Sequence, residues 1–216
     1  MRNSIAALTL LIAALVQGAP TPVDSLDLGL DAREIDARVV RNGVADFERL
    51  DTSSRTITEI GYYGGLMWQN IGAVNGTSTA PYSAIRPHSP DNVAVYGSLN
   101  TTFSGRVPVI TAQFNNTKTT AFSIRSFYFG CAGASSGIPM GCKMSIAGYD
   151  SDGTNIAYQP AYFTPSAGLT NSPQLVTLDG SFSGLAYVRL ATTFIGNNVQ
   201  GVTVLDDFVY TITTTS

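Results

Sequence analysis

An all-β, antiparallel sandwich is predicted for this chain from its composition and from the spacing of its apolar residues. The 216 residues are 44% hydrophobic and only 12% charged, about half the charged share of an ordinary soluble domain. The Glu, Lys and Arg that normally build exposed helix faces are therefore scarce, while 21 Gly, 10 Tyr and 10 Phe suit extended, turn-rich structure. Phe122, Ile124, Ser126 and Tyr128 alternate with Ser123, Arg125, Phe127 and Phe129. That period of two, with aromatics on both faces, marks a central strand.

Met1–Ser4 carries one positive charge at Arg2, and the apolar run Ile5–Val16 is shorter than the ~20 residues a membrane helix needs. With the small residue Gly18 closing it, the segment reads as a cleaved secretory signal peptide over residues 1–18. Residues 19–43 shift in composition. Asp24, Asp27, Asp31, Glu34 and Asp36 mix with Arg33, Arg38 and Arg41, and little apolar surface is available to bury. They read as a propeptide or flexible linker. The domain is expected over residues 44–216, in strands at Thr56–Tyr63, Leu66–Val74, Asn92–Tyr96, Val107–Phe114, Phe122–Phe129, Lys143–Tyr149, Ile156–Phe163, Gln174–Leu178, Ala186–Phe194 and Val202–Ile212. Gly, Pro, Asn and Asp fill the intervals, and no helix of ordinary length interrupts the series.

The net charge of −3 provides no basic field for a phosphate backbone, which excludes nucleic acid as an expected partner. No segment after the leader is long enough to span a membrane, so a soluble, secreted, extracellular glycoprotein is expected. Its Asn-x-Ser/Thr acceptors are Asn75, Asn100 and Asn115, each in a turn-like stretch. Cys131 and Cys142 are the only cysteines, ten residues apart around a Gly- and Ser-rich loop. In an oxidising compartment they pair as one disulfide. A metal pair is the sharper alternative, but the sole histidine is remote in sequence and no further sulfur exists.

Ala45-Asp46-Phe47-Glu48, Gly64-Gly65-Leu66-Met67-Trp68-Gln69-Asn70-Ile71, Ser89-Pro90-Asp91-Asn92-Val93-Ala94, Phe122-Ser123-Ile124 with Phe127-Tyr128-Phe129, Ile146-Ala147-Gly148-Tyr149-Asp150, and Asp206-Asp207-Phe208 occur in that order. The ordered set resembles the secreted galactose-binding-domain-like jelly rolls of fungal secretomes and bacterial exported proteins, over roughly Val44 to Tyr210. The resemblance implies a jelly-roll sandwich, a carbohydrate-binding role and a structural calcium. His88 and the Cys131–Cys142 loop depart from the pattern.

Catalysis by a Ser-His or Cys-His couple needs a base, and His88 is the only imidazole. Pro87 and Pro90 flank His88-Ser89 and favour extended geometry over a nucleophile-bearing turn, so His88 reads as a surface-loop residue. Sugar binding requires an aromatic face plus planar polar groups. Tyr62, Tyr63, Tyr82, Arg86, His88 and Asn92 are the expected set, and Trp68 is assigned to the core. Calcium needs several oxygens. Asp46 or Glu48 meeting Asp206 or Asp207 would supply them if the first and last strands are neighbours, with an arginine partner, Arg49 or Arg189, as the competing arrangement. The functional expectation is a secreted, non-enzymatic protein binding glycan or cell-wall polysaccharide, acting as a fungal effector. The alternatives are a carbohydrate-active hydrolase or lyase using paired carboxylates such as Glu48, Glu59, Asp91, Asp150 and Asp152, and a structural wall or matrix protein.

Overall fold

In the computed structural model, residues 38–52, 56–78, 80–97, 105–196 and 200–215 are described. The expected signal peptide, most of the expected linker and the acceptor Asn100 lie outside them. Eleven strands form in chain order: β1 Arg38–Ala45, β2 Thr58–Tyr63, β3 Leu66–Asn75, β4 Asn92–Gly97, β5 Val109–Thr111, β6 Thr119–Gly133, β7 Cys142–Tyr149, β8 Asn155–Phe163, β9 Gln174–Thr177, β10 Tyr187–Phe194 and β11 Gly201–Thr215. Every pairing between named strands is antiparallel. The class is the all-β sandwich that the alternation predicts.

The hydrogen-bonded path runs β8-β7-β10-β5-β3-β4-β11-β6-β9. β3 joins the two halves, since Met67–Gln69 pairs with β5 while Gly72–Asn75 pairs with β4. The ends of the path then face each other, with Phe129 of β6 meeting Phe163 of β8 edge-on at 6.1 Å. This curling leaves a nearly closed barrel and removes most free edges. Trp68 lies at its centre, with no exposed surface. Its ring meets Phe47 and Phe208 edge-on at 5.2 Å each, and its indole N–H donates to the Tyr63 carbonyl at 3.2 Å. Phe47 holds a left-handed backbone (φ 61°), a conformation that costs a bulky residue energy and is kept here by the packing of its ring.

One boundary differs from the expectation. β1 begins at Arg38, inside the segment read as linker, and pairs along its whole length with Phe208–Thr215 of β11. The charge-rich composition misled because β1 is an edge strand with Val39, Val40 and Val44 largely exposed; it contributes backbone pairing more than apolar burial. Gly43 allows the Tyr210 ring to lie against it, since a Cβ there would come within 2.6 Å of that ring. The Tyr210 hydroxyl donates to the Gly64 carbonyl at 2.6 Å, tying β11 to the β2–β3 turn. A chain starting at Val44 is therefore expected to fold with an unfolding free energy lower by about 1–3 kcal/mol. Faster amide exchange at Tyr210–Thr215 would accompany it, and equal exchange in both chains would show β1 to be dispensable.

Cys131 of β6 and Cys142 of β7 are joined in a disulfide, both fully buried. The loop between them is tied further by Met140 N–H to the Cys131 carbonyl and Gly133 N–H to the Ile138 carbonyl, each 2.9 Å. Replacing both cysteines with alanine is expected to remove about 2–3 kcal/mol by releasing an 11-residue loop in the unfolded chain. Urea unfolding of the double variant measures this directly.

Candidate functional site

The expected ligand set does not assemble at one place. Arg86 and His88 line a groove of about 470 Å³ together with Thr77, Asp91 and Thr170. Tyr62 and Tyr63 line another, of about 620 Å³, with Arg41, Arg49 and Tyr210. Tyr82 is buried in a 3-10 turn, and burial pushes its hydroxyl up to about 12. Asn92 is buried as well. Its side chain donates to the Phe47 and Leu50 carbonyls at 3.2 and 3.1 Å and accepts from Thr52 at 2.6 Å. Both assignments are thus corrected to structural ones, because the turn-like sequence around each closes over the side chain instead of presenting it.

Asp206 and Asp207 show why adjacent carboxylates on one strand take different roles. The β11 register shifts after Asp206, and Asp207 adopts a left-handed backbone (φ 44°), the signature of a bulge. Asp206 is 1% exposed. Its Oδ2 accepts the backbone N–H groups of His88 (2.7 Å) and Ser89 (2.9 Å), and its Oδ1 accepts the Ser89 hydroxyl (2.7 Å) and the Asp207 N–H (2.8 Å). Burial nevertheless raises its pKa above the ordinary value, outweighing these donors. Asp207 Oδ2 lies 2.5 Å from His88 Nδ1, and the imidazole stacks on Tyr128 at 3.6 Å. Ser89 Oγ is committed to Asp206 rather than to His88, so the pair forms no nucleophile–base couple.

The expected neighbourhood of first and last strands is present, and Ser89 Oγ also reaches the Asp46 carbonyl at 3.5 Å. The four carboxylates expected to hold calcium nevertheless have protein partners. Asp46 accepts from Tyr63 (2.9 Å), Glu48 accepts from Asn92 N–H (3.0 Å), and Asp206 and Asp207 are engaged as above. Among the described residues no group of three or more His, Cys, Asp or Glu is placed to hold a metal. Arg49 and Arg189 are not the partners either; the 88–89 backbone is. Glu48 is raised from its usual value by burial first, and then by Asp206, Asp91 and Asp46. Asp150, a candidate for hydrolysis, caps its own turn by accepting from the N–H groups of Asp152 and Thr154.

A second exposed aromatic surface lies elsewhere, on the outer face of β7, β8 and β10, where two tyrosines of one strand face solvent together. Along β8, Ala157, Ala161 and Phe163 point inward, while Ile156, Tyr158, Pro160 and Tyr162 point out. Tyr158 is 54% exposed and Tyr162 60%. The small inward residues have a cause, since Leu185 and Ala157 crowd Gly148 so closely that a Cβ on it would meet Leu185 at 2.7 Å. Across the sheet, Lys143 pairs with Tyr162, Ser145 with Pro160 and Ala147 with Tyr158. The Ser145 and Tyr158 hydroxyls lie 3.2 Å apart. On β10, Arg189 lies over Tyr149 and Tyr187, which stack at 4.7 Å.

Comparison with known proteins supports the architecture. No family model matches the chain, and no curated protein matches it. Among solved structures, a DUF4465 family protein from Bacteroides caccae is similar at a TM-score of 0.53 and 12% identity, covering 79% of this chain and 98% of that one. The fold is shared. The K2 cleaved adhesin domain of Lys-gingipain aligns at 0.41 and 12% identity, over 78% of this chain and 97% of its own. TmCBM61, solved with β-1,4-galactotriose, aligns at 0.29 and 10% identity, over 73% and 89%.

Sequence reasoning placed the strand at residues 156–163 but missed its outer face. The signal was present. Large aromatics at 158 and 162 alternate with Ala157 and Ala161, an inverted amphipathic pattern in which the bulky side chains face solvent.

Proposed function

We propose that this protein is a non-enzymatic glycan-binding module that works outside the cell. The observation that carries the reading is the pair of exposed, uncovered tyrosines, Tyr158 and Tyr162, on one face of β8. Four residues of strand separate them by ~13 Å, with Pro160 and Ser145 forming a low floor between. A pyranose presents an apolar face that stacks on such rings, while Ser145 and the tyrosine hydroxyls supply hydrogen bonds for its hydroxyls. A separation longer than one sugar calls for an oligosaccharide rather than a monosaccharide. The buried disulfide suits an oxidising compartment, and Asn115 is an exposed acceptor in the β5–β6 connection.

The test is retention on insoluble and gel-embedded polysaccharides. The Tyr158→Ala, Tyr162→Ala double variant is expected to lose roughly tenfold or more in affinity. Its unfolding midpoint should stay nearly unchanged, because the substituted side chains are outside the core. Unchanged retention would remove this face from the reading.

A further inference from the structure

We propose that the Tyr158–Tyr162 face takes an acidic polysaccharide, a chain bearing uronate carboxylates, lying along β8. The inference rests on the glycan-binding reading above and adds the charge class of the ligand. The four strands β5, β7, β8 and β10 contain no Asp or Glu at all, although the whole chain holds 15 acidic residues against 12 basic ones. Their two charged side chains are both cations, Lys143 and Arg189. Neither has a carboxylate partner, since the ion pair found among the described residues is His88–Asp207. The acids nearest these strands are Asp150 and Asp152 in the β7–β8 turn, where Asp150 is committed to backbone N–H groups, and Asp179, whose backbone N–H meets the inward-parity Gln159 of β8 and whose carboxylate accepts from the Ser181 N–H. In a protein of net negative charge, the strands of this aromatic face thus carry only positive charge.

The cations are also placed in register with the rings. Lys143 sits beside Tyr162, its Nζ 5.9 Å from the ring centroid. Arg189 lies in the same cross-strand row as Ala147 and Tyr158. Each end of the platform therefore joins one tyrosine to one cation, and the two units are four residues apart along the strands, ~13 Å. A polymer running parallel to β8 would meet a ring and a positive charge at each end. Arg189 is further held by the stacked Tyr149 and Tyr187 beneath it, which fixes a guanidinium fork that matches a carboxylate in two hydrogen bonds.

The experiment is affinity electrophoresis of the full-length protein through gels containing polygalacturonate, its methyl ester, neutral β-1,4-galactan or dextran sulfate. Polygalacturonate should retard the protein about five- to tenfold more strongly than its methyl ester, with a difference that shrinks as salt rises. In the Lys143→Gln, Arg189→Gln variant the difference should vanish while any binding to the ester remains. In the Tyr158→Ala, Tyr162→Ala variant both should fall. Equal retention by acid and ester overturns the charge assignment and leaves glycan binding standing. Retention by none of the polysaccharides overturns the glycan reading itself. Retention by dextran sulfate and polygalacturonate alike, unaffected by the tyrosine substitutions, reduces the effect to non-specific polyanion attraction and overturns the proposal.

Discussion

Replacing Trp68 with alanine is expected to destabilise the protein by about 3–5 kcal/mol, the range for deleting a fully buried large aromatic. The indole has no exposed surface and is gripped by Phe47 and Phe208, so a cavity would open where the two halves of the sheet meet. At roughly 2–4 °C per kcal/mol for a domain of this size, the midpoint should fall by about 6–20 °C. Because Trp68 is the only tryptophan, the unfolding must be followed by circular dichroism rather than fluorescence. Loss of the indole also removes the donor to the Tyr63 carbonyl, so Phe47, whose ring stacks on Tyr63 at 5.7 Å, should lose order as well. A Trp68→Ala protein with an unchanged midpoint would contradict the core assignment.

Asp206→Ala is expected to be comparably costly, about 3–5 kcal/mol, because it orphans four donors at once: the N–H groups of His88, Ser89 and Asp207 and the Ser89 hydroxyl. Asp206→Asn should cost less, since the amide retains one carbonyl acceptor. The carboxyl also makes stability depend on pH. Burial raises its pKa in the folded protein, so the folded state holds this proton to a higher pH than the unfolded chain does. Its contribution is complete below the ordinary carboxylate value of ~4 and is lost as pH rises through the folded value, after which it levels off. Glu48, also raised, adds a slope of the same sign. Asp206→Asn should therefore flatten, without abolishing, the decline in midpoint between acidic and neutral pH. A parallel profile in both proteins would mean that Asp206 titrates normally. The same melting curves are expected to be indifferent to chelator, because protein donors already engage Asp46, Glu48, Asp206 and Asp207; a midpoint that falls on chelation would place calcium among them.

The strands were legible because hydrophobic alternation is local. The expected strands from Thr56 to Ile212 have counterparts among β2–β11, although Val107–Phe114 contracts to Val109–Thr111, where Pro108 lacks an N–H to donate. β1 was illegible for the complementary reason. An edge strand buries little, so Arg38–Ala45 carries no apolar period and is held by pairing with Phe208–Thr215, a partner that only the folded chain supplies. The disulfide was legible because two cysteines in one short loop leave a single pairing.

The candidate site was less legible, since a ligand surface depends on which side of each strand faces out and on which loops close. From the sequence alone follow the all-β class, the strand positions and the core place of Trp68. Tertiary structure decided that Tyr82 and Asn92 are covered, that Arg86 and His88 open into one groove while Tyr62 and Tyr63 open into another, and that Asp206 is matched by the 88–89 backbone. It also decided that β8 turns its tyrosines outward. The inward side is filled by Leu185, a residue distant in sequence that packs against Gly148 of the neighbouring strand, and only a small side chain such as Ala157 fits beside them. Periodicity records that a strand has two faces; which face meets solvent is set by the volume that the rest of the fold leaves beside it.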